Sequence, residues 1–142
     1  MRPILTLVLA LAAVAALAQP LPVTELRAGM HLIHAEVAAD YSTRGRGLMH
    51  RKELAPNAGM LFVFDAPSEH CMWMKNTYIP LSVAFIDADG TIINIADMEP
   101  HSEQTHCSAR PALYALEMTR GWFAERGIKP GVKLGGLQPA RR

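Results

Sequence analysis

The sequence has no excess of charge of either sign and no long charged run. Its 142 residues contain 14 lysines and arginines against 13 aspartates and glutamates. Such a balance provides no net attraction to nucleic acid or to anionic lipid. We therefore expect no nucleic-acid partner. The chain also lacks internal repeats and low-complexity linkers, which would indicate several domains.

The motifs of several common enzyme classes are also missing. The two cysteines do not form a C-x-x-C pair, so a thioredoxin-like oxidoreductase is not expected. No serine lies in a G-x-S-x-G elbow. The stretch 87–98 lacks the glycine and the glutamate that a calcium loop requires. Carboxylates are scattered, without a spacing that singles out the pair of a glycosidase. A non-enzymatic protein without a cofactor is favoured.

No apolar run is long enough to cross a bilayer. The N-terminal run, Ile4–Ala16, is shorter than the roughly 20 residues that a transmembrane helix needs. It follows Arg2 and leads to Ala16 and Ala18, the small residues that signal peptidase recognises. Residues 1–18 are therefore expected to be a cleaved signal peptide. The protein is then exported, periplasmic or secreted, with no membrane span after cleavage.

The remaining chain is expected to be one mainly β domain over residues 19–134, followed by a flexible tail at 135–142. Short apolar or alternating runs separated by turn residues are typical of a compact sandwich or small barrel of mostly antiparallel strands. Strands are expected at 30–38, 60–64, 69–75, 81–86, 91–95, 112–118 and 132–134. One or two short helices are expected, at 45–54 with a cap at Ser42 or Thr43, and at 121–126. Turns are expected at 89–90, 76–77 and 129–131.

Cys71 and Cys107 are expected to form a structural disulfide. Export places both thiols where oxidation is favoured, and no third cysteine competes. The bridge would fasten the long polar connection before Cys107 to the strand that carries Cys71. The alternative is a zinc site in which His70 and His106 join the two thiolates.

The segment 69–77 has the highest density of chemically active side chains. As a strand it would place Trp73 and Lys75 on one face, where an aromatic ring beside an ammonium suits a sugar or a carboxylate-bearing ligand. The candidate binding patch consists of Arg46, Arg51, Trp73, Lys75, Asn76 and Glu117.

A structural interpretation of the same patch is favoured. Trp73 would lie in the core, and Lys75 would form a buried ion pair with Glu117, because a buried carboxylate needs a cation. Asn76 would hold a turn rather than act in catalysis. Arg46 and Arg51 either grip an anion near a helix start or lie solvated on the surface.

Copper binding is a further alternative. Methionine and histidine in an exported protein suit Cu(I). The candidate ligands are His70, Met72 and Met74, which are close in sequence, and His106, which the expected disulfide would bring near them. Most of the methionines, however, lie in apolar runs, where a thioether fills gaps in the core.

Residues 47–131 resemble the family known as domain of unknown function 192. The resemblance rests on Gly47-Leu48-Met49, the run Gly59–Phe64, the block Trp73–Thr77, Pro80-Leu81 and Leu116-Glu117. It implies a compact, mainly β fold that is often exported, and it implies no activity. Ser82 and Val132 stand where the family usually has acids, so no role tied to those acids carries over.

These observations favour an exported domain that binds a small molecule, a glycan fragment or a protein of the cell envelope. The alternatives are a cell-envelope carbohydrate-active enzyme and a periplasmic Cu(I) carrier.

The mature protein is expected to begin at Gln19, because the small side chains of Ala16 and Ala18 fit signal peptidase and Pro20 ends the apolar segment. Intact-mass measurement of the exported protein checks this. An exported form that retains residues 1–18 would contradict it.

Overall fold

The computed structural model describes residues 19–137. They form a curled, mostly antiparallel seven-stranded sheet that makes a half-barrel, with two short helices and a separate pair of short strands. This confirms the mainly β fold class. The strands are β1 (Val23–Ala28), β2 (His31–Ala38), β3 (Ala58–Ser68), β4 (Cys71–Met72), β5 (Leu81–Ile86), β6 (Ile92–Met98), β7 (His106–Cys107), β8 (Ala112–Thr119) and β9 (Leu134–Gly135). The helices are α1 (Tyr41–Arg46) and α2 (Trp122–Glu125). The expected signal peptide lies outside the described residues.

The strand order in the main sheet is β6-β5-β8-β3-β2-β1-β9. β2 and β3 run parallel, and every other pairing in this sheet is antiparallel. The sheet curls until its two ends approach each other. Lys133, just before β9, pairs with Thr91, just before β6. The amide of Leu134 also donates a hydrogen bond to the carbonyl of Gly90 at 2.8 Å.

Strand β8, between β5 and β3, separates two apolar cores. Leu116 and Met118 face the core that α2 covers with Phe123. Ala115 lies in the other core, which is covered by the segment after α1 and by the turn before β5. Glu117 shares the face of Ala115 because strand side chains alternate between faces. The sheet therefore places one acidic side chain inside an apolar core.

β3 and β8 approach each other closely beside Glu117. Gly59 lies opposite Met118 in the register, and a Cβ atom on Gly59 would collide with the backbone oxygen of Glu117 and the sulfur of Met118. Only glycine fits there without a backbone shift. The glycine that opens the long apolar run thus sets the distance between the two strands on which the site is built.

Long apolar runs formed strands where they were expected. β5 has the expected bounds, and β8 extends the expected strand by one residue. The turn at 89–90 joins β5 to β6, with Gly90 at a φ of 85°. Gly131, the third residue of the predicted type II turn, has a φ of 94°.

The first helix differs from the prediction. It covers Tyr41–Arg46, and its N-cap is Asp40 rather than Ser42 or Thr43. Asp40 accepts a hydrogen bond from the amide of Thr43 at 2.8 Å, and the Thr43 hydroxyl oxygen accepts one from the amide of Asp40. Gly47 ends the helix with a φ of 49°, which L side chains rarely adopt. The prediction of a helix at 45–54 was wrong, because the cap at Asp40 starts the helix earlier and Gly47 ends it.

The expected strand at 69–75 is also much shorter, since β4 contains only Cys71 and Met72. The chain then turns at 74–77, where the amide of Thr77 donates to the carbonyl of Met74 at 3.1 Å. Asn76 has a φ of 52° and belongs to this turn, which confirms its expected structural role. Because β4 ends at Met72, Trp73 lies outside the strand.

Three further strands, β1, β7 and β9, depart from the prediction. β1 was not predicted at all, although it pairs with β2 along its whole length. β7 lies in a connection that was expected to be a loop. β9 includes Gly135, which pairs with Arg27, so the sheet extends into the expected tail.

Cys71 and Cys107 form the predicted disulfide. They lie directly opposite each other in the β4–β7 pair, with their Cα atoms 4.0 Å apart, slightly closer than the expected 4.4 to 6.8 Å. Since both sulfurs are bonded to each other, the thiolate zinc site considered above cannot form in this state.

Among residues 19–137, the structure contains no helix that is long and apolar enough to cross a membrane.

Replacing both Cys71 and Cys107 by serine is expected to lower the free energy of unfolding by about 3–4 kcal/mol, because the disulfide restricts the unfolded chain. Urea midpoints of the oxidised protein and the double variant check this. Mass spectrometry without reductant should show the oxidised protein two hydrogens lighter than the reduced one. Unchanged midpoints, or two free thiols in freshly purified, unreduced protein, would contradict the structural role.

Candidate functional site

A cavity lies between α1, the outer half of β3 and β4. Its volume is about 580 Å³, which is within the range of small-molecule sites. We call it the outer cavity. Its lining combines aromatic rings with a few polar groups. The lining residues are Tyr41, Arg44, Gly45, Phe62, Phe64, Asp65, Ala66, Ser68, His70, Cys71, Met72 and Trp73.

Two aromatic side chains of the outer cavity are open to solvent. Tyr41, the first residue of α1, is 89% exposed, and Trp73, just after β4, is 43% exposed. The expectation that Trp73 lies in the core is therefore wrong. The Lys75 ammonium lies 5.2 Å from the centre of the Trp73 ring, within the range of a cation–π contact. The predicted neighbourhood of Trp73 and Lys75 is thus present, on the surface.

The guanidinium of Arg44 holds α1 against the end of β3. It donates hydrogen bonds to the carbonyl oxygens of Ala39 at 2.8 Å and Val63 at 3.0 Å. It also forms an ion pair with Asp65 at 3.3 Å. Arg44 is largely buried whereas the Asp65 side chain is exposed. Arg44 therefore mainly organises the wall of the cavity, while the Asp65 carboxylate remains accessible at its rim.

The opposite wall is stabilised by aromatic stacking. The imidazole of His70 lies parallel to the ring of Phe64, with centroids 3.7 Å apart. Nε2 of His70 lies 3.1 Å from the carbonyl oxygen of Ala66. Because a carbonyl only accepts, Nε2 carries the proton in this contact. The amide of His70 donates to the Ser108 hydroxyl at 3.1 Å, which joins this wall to the segment after β7.

A second, narrow cavity adjoins the outer cavity. The two linings share Arg44, Gly45, Phe62, Met72 and Trp73. We call it the inner cavity. Its volume is about 30 Å³, which is enough to hold a group the size of a water molecule. Glu117 and Thr77 are polar residues at this cavity, and both are buried.

Burial raises the pKa of the Glu117 carboxyl to about 8, because a carboxylate would lose its hydration inside the core. The predicted burial of Glu117 is confirmed. Its predicted ion pair with Lys75 is wrong: among residues 19–137 no ion pair joins the two, and Lys75 is exposed beside Trp73. At neutral pH the Glu117 carboxyl is therefore protonated and uncharged, and it needs no cation as a partner.

The structure divides the remaining members of the predicted patch. Arg46 lines the inner cavity and is exposed. Arg51 forms a two-fold contact with Glu36 on β2, with one N···O distance of 2.9 Å, so it acts structurally. Asn76 accepts a hydrogen bond from the amide of His50 through its backbone oxygen. Of the predicted patch, Arg46, Trp73 and Glu117 therefore come together.

The candidate copper ligands do not share one lining. Met72 and His70 face the outer cavity, whereas Met74 is fully buried in the core. His106 lies beside Met72 in the β4–β7 pair. The group of potential ligand atoms found within residues 19–137 is Glu69, Cys71 and Cys107, and its two sulfurs are bonded to each other.

Sequence reasoning missed Tyr41, Arg44, Phe62 and Phe64. Phe62 and Phe64 belong to an apolar run that was interpreted only as core. Tyr41 and Arg44 reach the site because α1 begins at its Asp40 cap. The signal for that cap was an aspartate three residues before Thr43, which makes a reciprocal cap.

The model of the family DUF192, described as “Uncharacterized ACR”, matches residues 23–136. No curated protein matches the chain significantly.

Two solved structures share this fold. One is a protein from Sinorhizobium meliloti 1021 described as a “putative transcription regulator”; it is 39% identical, with a TM-score of 0.81, and the match covers 84% of this chain and 97% of that one. The other is a protein of unknown function from Novosphingobium aromaticivorans DSM 12444; it is 37% identical, with a TM-score of 0.74, covering 88% of this chain and 90% of that one.

Glu117→Gln is expected to flatten the pH dependence of stability. In the wild type, the Glu117 pKa rises from 4.5 to about 8 on folding, so protonation favours the folded state. The free energy of unfolding should therefore fall as the pH rises through this interval and level off above it. Glu117→Gln lacks this titration and should be more stable than the wild type at pH 9.

Urea midpoints measured from about pH 5 to pH 9 check this, with Glu53→Gln as the matched control because Glu53 is exposed. The control should follow the wild type. Parallel curves for the wild type and Glu117→Gln would show that the carboxyl is not held protonated by the fold.

Proposed function

Because the chain belongs to the DUF192 family, for which no activity is assigned, we propose its function from the site itself: an exported, non-enzymatic module of the cell envelope that binds a small molecule, in particular a glycan fragment. The observation that carries the proposal is the outer cavity, with the solvent-open rings of Tyr41 and Trp73 at its walls. Export is supported by the N-terminal sequence pattern and is compatible with the disulfide.

Exposed aromatic rings at a cavity suit a ligand with apolar ring faces. A sugar ring presents C–H groups on its faces and hydroxyl groups at its edges, so it stacks on an aromatic ring while its edge binds polar groups. Tyr41 and Trp73 offer the rings, and Asp65 offers an accessible carboxylate at the rim. Lys75 keeps the Trp73 ring in place from a position outside the cavity lining.

A binding module is preferred to an enzyme because of where the carboxylates lie. Asp65 lines the outer cavity and is paired with Arg44, whereas Glu117 lines the inner cavity. Each of the two linings thus contains a single carboxyl residue, and Asp65 is already bound by Arg44, in contrast to the facing, free pair of a glycosidase. The copper carrier has less support, since Met74 is enclosed in the core and both cysteine sulfurs are bonded to each other.

Calorimetric titration with N-acetylglucosamine oligomers and with a mixture of peptidoglycan fragments tests the proposal. The wild type should bind one of these probes, and Trp73→Ala should weaken binding about tenfold, since stacking contributes roughly 0.5–1.5 kcal/mol beyond buried area. Tyr78→Ala is the matched control, because Tyr78 is 44% exposed but lies outside both cavity linings.

Three results would count against the proposal. Absence of binding by the wild type to both probes would overturn it. An equal loss in Trp73→Ala and Tyr78→Ala would place the ligand elsewhere. Cleaved products in the titration mixture, detected by mass spectrometry, would favour the carbohydrate-active enzyme instead.

A further inference from the structure

Glu117 points into the inner cavity. In β8 it lies opposite Met60 of β3 and Val83 of β5, and all three side chains occupy the same face of the sheet. This is the face on which Leu48 and Phe62 line the inner cavity. The backbone of β8 is hydrogen-bonded to a neighbouring strand on each side. The side chain of Glu117 is therefore the part of the residue that lines the cavity.

The Glu117 carboxyl has no hydrogen-bond or ion-pair partner within residues 19–137. Glu117 is only 4% exposed. Within residues 19–137, every side-chain oxygen that is completely shielded from solvent has a hydrogen-bond partner, so the unpaired oxygens of Glu117 are not completely shielded. Its oxygens therefore reach the free volume of the inner cavity. A buried polar group normally has a partner, so this carboxyl is available to one that enters the cavity.

The charged groups around the inner cavity do not neutralise Glu117. Strands β3 and β5 contribute Met60 and Val83 beside it, and the turn before β5 contributes Thr77, none of which is charged. Helix α1 contributes two cations. Arg44 is bound to Asp65 and to backbone oxygens.

The second cation of α1, Arg46, is exposed. Desolvation is the sole cause of the raised pKa of Glu117, so neither Arg44 nor Arg46 stabilises its ionised form. The carboxyl is therefore a hydrogen-bond donor up to about pH 8, as well as an acceptor.

We propose that Glu117 determines the ligand specificity of the outer cavity by donating a hydrogen bond from its protonated carboxyl to an uncharged acceptor oxygen of the bound molecule. This inference rests on the proposed binding function and names the chemical class of the ligand. The ligand has a ring that stacks on Trp73 and a hydroxyl or amide carbonyl that enters the inner cavity. The inner cavity is large enough for such an oxygen group.

Binding of an N-acetylglucosamine trimer, whose acetamido groups carry carbonyl acceptors, tests the inference by calorimetry at pH 7 and pH 9. The wild type should bind about tenfold more weakly at pH 9, because ionisation with a pKa near 8 removes the donor. Glu117→Gln retains a neutral donor and should bind with little pH dependence. Glu117→Leu has no donor and should bind at least tenfold more weakly than the wild type at pH 7.

Glu53→Gln serves as the control and should reproduce the wild-type pH dependence, since Glu53 is exposed. Circular dichroism and thermal unfolding monitor folding. If Glu117→Leu does not fold, the comparison of the wild type with Glu117→Gln across pH decides the question.

The outcomes separate the two proposals. Equal pH dependence in the wild type and Glu117→Gln, or wild-type affinity in Glu117→Leu, would overturn the role of Glu117 and leave Trp73-dependent binding intact. Absence of trimer binding by the wild type at pH 7 would overturn this inference. If the peptidoglycan fragments also fail to bind, the proposed function falls with it.

Discussion

The outer cavity depends on the disulfide between Cys71 and Cys107. The two cysteines lie opposite each other in a pair of strands that is only two residues long on each side. A pair of short strands is only marginally stable by itself, because few hydrogen bonds hold it. The disulfide stabilises this pair by restricting the unfolded chain. Met72 and Trp73 follow Cys71 directly. The disulfide therefore fixes the wall that faces α1, and with it the volume between them.

The inner cavity depends on a different constraint, the alternation of side chains along β8. Ala115 and Glu117 face the same core, and within residues 19–137 no cation is paired with the carboxyl. A buried acid without a cation is costly when ionised, and it keeps its proton instead. The strand geometry thus converts a residue that is an anion on a protein surface into a neutral donor. The pairing of Gly59 with Met118 keeps β3 close enough to hold this arrangement.

The two cavities combine into one proposed site with an apolar entrance and a polar end. Trp73 and Phe62 belong to both linings, so a ligand stacked on Trp73 lies next to the opening toward Glu117. Arg44, which binds Asp65 and two backbone oxygens, maintains the shape of the wall formed by α1 and the end of β3. Recognition would then rest on ring stacking and one uncharged hydrogen bond, which gives weaker attraction than charge pairing but excludes ligands that lack the acceptor.

The sequence alone determined the β class, the strands built from long apolar runs, the turns at Gly90 and Gly131, and the disulfide. These follow from local periodicity, from backbone preferences and from the presence of two cysteines only. The burial of Glu117 was also predictable from its position in an apolar strand. The tertiary structure alone decided that Lys75 turns outward onto Trp73, and that Tyr41 and Arg44 line the same cavity as Trp73. Such placements depend on where α1 is capped and where β4 ends. Local hydrogen bonds between side chains and backbone determine the start of α1 and the end of β4. The pattern of apolar residues in the sequence gives no information about these hydrogen bonds.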